Sequence, residues 1–146
     1  MDRKQTLEEL EGENWGEPDE ADTGLIQKCH RLRRKAVGTF TAADLRVMIG
    51  QQIGNKYLIP LAIEKLDDNP LLDADYYEGD LLIAVLGVAE SYWTSHHNNQ
   101  KQIQWILNRA LSLENNEEFL KAWDTIASKR IRKRWSVSTS KCNKAP

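Results

Sequence analysis

The chain has 146 residues and a mass of 16.8 kDa, the size of a single domain. With 40% hydrophobic and 29% charged residues, it falls outside the disordered, collagen-like and membrane-bundle classes. A net charge of -2 exerts no overall pull toward nucleic acid or an anionic lipid surface.

Charge is divided along the chain. Residues 1–24 carry nine acids, Asp2 through Asp22, against Arg3 and Lys4. Lys28, Arg31, Arg33, Arg34 and Lys35 then reverse the sign, and the last stretch is basic again through Lys129, Arg130, Arg132, Lys133 and Arg134. An acidic arm over 1–20 is therefore expected to lie against a basic helix. Leu25, Ile26, Cys29, Leu32 and Ala36 predict that helix from Ala21 to Val37, with all five facing the core and Gly38 ending it. Thr41 is placed to cap the next helix, with Asp44 three residues on and Leu45, Met48, Ile49 and Ile53 as its stripe. A helix from Lys56 to Leu66 follows, with Pro60 near its start.

Asp67-Asp68-Asn69-Pro70 breaks the pattern, and an acidic, aromatic connector leads to Gly79. Asp80 is read as the cap of a long central helix from Leu81 to about Ser95, with Leu82, Val85, Leu86 and Ala89 at the centre of the bundle. His96 to Asn99 reads as a turn. A helix around Ile103 to Leu111 and a last one from Asn116 complete the chain, before a loose tail over 136–146. The expectation is an all-α, single-domain bundle of about six helices spanning 1–135. The longest apolar run, 81–89, is far short of the ~20 residues that span a bilayer. The N-terminus carries no apolar leader segment, so the protein is expected in the cytoplasm, with Cys29 and Cys142 as free thiols.

No nucleotide-binding, zinc-hydrolase or EF-hand motif occurs. Cys29 and His30 are adjacent, so on a helix their side chains diverge by ~100°. His96 and His97 have no partner at ligand spacing. We expect no catalytic residue, no metal and no cofactor. Trp135 follows the cationic run 129–134, a pairing that can grip nucleic acid; the favoured reading folds Trp135 back onto the bundle. The connector offers the other candidate surface. Asp73, Asp75, Glu78 and Asp80 frame Tyr76 and Tyr77, with no cation between Asp67 and Asp80. Tyrosine supplies contact area at small entropic cost, and the carboxylates would steer a basic partner.

Several stretches together resemble a known family: Leu7-Glu8-Glu9-Leu10-Glu11, Trp15-Gly16-Glu17-Pro18, Cys29-His30-Arg31-Leu32-Arg33, Asp44 through Gln51, Tyr57-Leu58-Ile59-Pro60-Leu61-Ala62 and Gly79-Asp80-Leu81-Leu82. Over about Thr6 to Val88 the chain resembles the CdiI-type immunity proteins of bacterial contact-dependent growth inhibition systems. The resemblance implies a non-enzymatic cytoplasmic protein that binds and neutralises the toxic C-terminal domain of a delivered effector, often a nuclease. Combined with the charge pattern, it gives a basic toxin domain as partner, docked on Asp73, Asp75, Tyr76, Tyr77, Glu78 and Asp80, with no membrane and no direct nucleic-acid contact expected. The alternative is a small helical nucleic-acid-binding regulator using Arg31, Arg33, Arg34 and residues 129–134.

Overall fold

A computed structural model describes residues 1–126 and 129–135. The helices run α1 Leu7–Glu11, α2 Gly24–Arg33, α3 Ala42–Gly50, α4 Asn55–Asp68, α5 Asp80–Leu86, α6 Glu90–Ser95, α7 His97–Ser112, α8 Glu117–Ile126 and α9 Lys129–Arg134. The architecture is all-α, and the described residues contain no sheet. The tail expected over 136–146, Cys142 included, lies outside the described residues.

Threonine caps account for the starts of α1, α2 and α3. Thr41 accepts from the Asp44 N–H at 3.1 Å while the Asp44 carboxylate accepts from the Thr41 N–H at 3.1 Å, a reciprocal cap. Thr6 and Glu9 form a second one at α1. The α4 helix begins at Asn55, so Pro60 lies inside it and withholds one backbone donor from the helix.

The core gathers around α5. Leu81, Leu82, Ile83, Val85 and Leu86 are all buried, and α5 packs against α3, α4 and α8. Truncating Leu86 to Ala should cost ~2–5 kcal/mol.

Three features depart from the sequence reading. First, the long central helix is two helices, broken at Gly87–Ala89. The break is supported by two groups distant in sequence and one near it: Trp135 Nε1 donates to the Leu86 carbonyl at 3.0 Å, the Ala89 N–H donates to Gln52 Oε1 at 3.3 Å, and the neighbouring Trp93 Nε1 donates to the Val88 carbonyl at 3.1 Å. Ala89 is consequently exposed rather than central. The expected turn after Ser95 shrinks to His96, since α7 starts at His97.

Second, α2 starts only at Gly24 and ends at Arg33. Its first turn projects past the core, leaving Leu25 and Ile26 exposed while Cys29 and Leu32 are buried. Third, Gly38 does not end that helix. It lies in a 3-10 turn, Val37–Thr39, whose Gly38 N–H donates to the Arg3 carbonyl at 2.8 Å. A Cβ there would stand 2.9 Å from the same oxygen, so glycine permits the N-terminal segment to lie against this turn.

Candidate functional site

The connector is a small closed loop. Asp73 and Glu78 pair as an antiparallel bridge, and the Gly79 N–H donates to the Leu72 carbonyl at 3.3 Å. Asp75 adopts φ 92°, supported by Asp73 Oδ1, which accepts from the Asp75 N–H at 2.8 Å. Gly79 turns the chain into α5 with φ 94°, and a Cβ at that position would meet Phe119 of α8 at 2.8 Å. A left-handed conformation against an aromatic ring leaves no room for a side chain.

Asp80 holds the loop from inside. It is 3% exposed; its carboxylate accepts from the Ala74 N–H at 2.7 Å and the Tyr76 N–H at 3.0 Å. Asp80 is the first residue of α5, and Gly79 occupies the cap position. The expectation of Asp80 as the helix cap is therefore corrected; of the expected docking acids it is the buried one, with its carboxylate bonded to two loop amides.

Arg46 of α3 is the second support. Its Nε donates to the Ala74 carbonyl at 3.1 Å and lies 3.7 Å from Asp80 Oδ2. Its guanidinium stacks over Tyr76, 4.1 Å from the ring centroid. The connector thus has a cationic partner that reading along the loop alone does not show. A lone arginine between Leu45 and Val47 in an otherwise apolar stripe is the signal that could have found it.

The remaining side chains divide. Asp73, Asp75, Tyr76 and Glu78 are exposed, and Tyr76 is the most open large hydrophobic side chain among the described residues, at 73%. Tyr77 is half-buried and packs on the core. Burial, followed by the Asp80 charge, pushes its hydroxyl above the usual tyrosine range, with Arg46 opposing. A shallow groove beside the loop adds Leu113, Glu114 and Asn115 from the turn after α7 to Leu72, Asp73 and Glu78. That turn carried no distinguishing mark in the sequence.

The histidines sit elsewhere. His30 Nδ1 is 3.2 Å from the Gly16 carbonyl and its ring meets the edge of Trp15. His96 stacks on Tyr92 at 4.0 Å. Burial drives the Tyr92 hydroxyl up to about 12 and raises the Cys29 thiol, against the opposing pull of Lys28. Among the described residues, no cluster of three or more His, Cys, Asp or Glu side chains is placed to hold a metal ion.

A family model of CDI immunity proteins matches residues 9–103. The chain belongs to that family. The match contains α2 to α6, the whole connector and Arg46. No curated protein and no solved structure matches. Membership in the CDI immunity proteins points to neutralisation of a CDI toxin. No helix among the described residues is long and apolar enough to cross a membrane.

Proposed function

We propose that this CDI immunity protein acts as a binding inhibitor that sets its connector against the active site of a nuclease toxin. The observation that carries the reading is the pre-formed loop tip, with Asp73, Asp75 and Glu78 around an exposed Tyr76. A nuclease must present cations to its phosphates; carboxylates at this spacing would occupy them without supplying a scissile bond. Because Asp80 and Arg46 already fix the loop, little ordering entropy is lost on docking. The reading needs no catalytic residue and no cofactor, and it suits the cytoplasm, where a delivered toxin would act.

The rival reading, a nucleic-acid regulator using Arg31, Arg33, Arg34 and residues 129–134, loses two of the three arginines between 31 and 34 to internal pairing. Arg33 is buried against Glu11, and Arg34 pairs with Glu8 and Glu17.

The test is cleavage of tRNA and of plasmid DNA by the toxin domain encoded beside this protein, with and without stoichiometric immunity protein. Cleavage of one substrate, suppressed by wild type and restored when Tyr76→Ala is combined with Glu78→Lys, is the expected result. Suppression by that double variant equal to wild type would remove the connector from the interface. A toxin that cleaves neither substrate would remove the nuclease.

A further inference from the structure

At the other end of α7, away from the connector, lies a second charged surface. A groove runs between the start of α7 and α9, lined by His97, Gln100, Lys101 and Gln104 and, where it continues past Gln100, by Lys133 and Arg134. The one carboxylate among its lining residues, Glu90, pairs with Arg134. Five of the six residues of α9, Lys129–Arg134, are cationic in sequence. The helix is fixed to the body: Trp135 directly after it is fully buried, donates to the Leu86 carbonyl and packs edge-on against Trp93 at 5.0 Å. That anchor fixes the backbone carrying Lys133 and Arg134.

Trp105 stands on the same ridge of α7, one turn beyond Lys101, and is 42% exposed. Residues four apart on a helix are surface neighbours, so the ridge presents a cation followed by a part-exposed indole.

We propose that this groove binds single-stranded nucleic acid, with Lys101 and Lys133 along the phosphates and a base stacked on Trp105, while Arg134 stays paired with Glu90. A fixed basic track with an exposed aromatic beside it is the arrangement that holds single strands without reading sequence. A duplex hides its base faces from such a ring, and an acidic protein segment supplies charge but no regular π-face; single strands supply both. Gln100 and Gln104 add amide groups that can donate to phosphate or base oxygens. The sequence reading expected no nucleic-acid contact because Trp135 would fold inward. It does, and Trp105 takes the exposed position instead.

Fluorescence anisotropy of a short labelled single-stranded RNA with the full chain tests the proposal. Expected is saturable binding at low salt that weakens steeply as salt rises. Trp105→Ala should weaken it about tenfold at an unchanged salt slope. Lys101→Glu with Lys133→Glu should weaken it further and reduce the slope by about 2. Unchanged thermal melting of each variant confirms that it is folded. No saturable binding, variants that bind as wild type does, or polyglutamate competing as well as unlabelled RNA would each overturn the proposal, the last by assigning the groove to an acidic protein.

Discussion

The N-terminal arm and the connector are equally acidic on paper and opposite in the folded chain. In the arm, Glu11 pairs with the buried Arg33, Glu8 and Glu17 pair with Arg34, and the Glu13 and Gly16 carbonyls accept from the same two arginines. Trp15 lies under the Arg33 guanidinium at 4.2 Å. Its carboxylates help strap a segment without much regular structure to α2. In the connector, Asp80 is spent on the fold and Asp73 gives one oxygen to the Asp75 N–H, while Asp73, Asp75 and Glu78 all face solvent. Opposite charges close enough to pair inside a fold leave little field outside it; the connector's unpaired acids keep theirs.

That contrast can be broken most forcefully at the arm. Arg33→Ala should destabilise the protein by about 3 kcal/mol, the low end for breaking a buried pair, because Glu11 keeps access to water. Denaturant unfolding measures it, and toxin affinity of the folded fraction should be unchanged. A loss of affinity larger than the loss of stability would make the arm part of the interface. The reverse pattern is expected at Tyr76. Truncation to Ala should weaken toxin binding by about 2 kcal/mol, mainly through faster dissociation, and leave the melting temperature alone.

Smaller effects sharpen the comparison. Asp75→Asn, Glu78→Gln and Glu114→Gln together should slow association about tenfold at low salt, with the difference shrinking as salt rises. Stopped-flow mixing over a salt series reads this directly; the neutral amides avoid adding bulk at Asp75, whose φ is already positive. The smallest effect is a pH dependence. Burial raises the Asp44 carboxyl, but hydrogen bonds from Lys35 and Thr41 outweigh it and hold the group below its ordinary value of 3.8. A carboxyl depressed in the folded state contributes stability above its unfolded pKa, and that contribution is lost as pH falls through the folded value. Stability should therefore drop below about pH 4 less steeply in Asp44→Asn than in wild type, by denaturant unfolding.

The parts legible in the sequence are those fixed by neighbours in the chain. Thr41 and Asp44 cap their helix as their spacing predicts, and the acidic arm meets the basic α2. What escaped depends on distant partners. The break after Leu86 needs Trp135, 49 residues away. The exposure of Leu25 and Ile26 follows from where α2 overhangs the core, which periodicity does not encode. At the connector, residue type marked the loop, while the inward turn of Asp80 and the stacking of Arg46 on Tyr76 arise from α3 packing beside α5.

Backbone amide hydrogen exchange, with and without the cognate toxin domain, tests the central claim most directly. New protection concentrated at residues 73–78 and 113–115, with residues 8–17 unchanged, is expected. Protection over 8–17 with none at 73–78 would place the toxin on the arm and contradict the account.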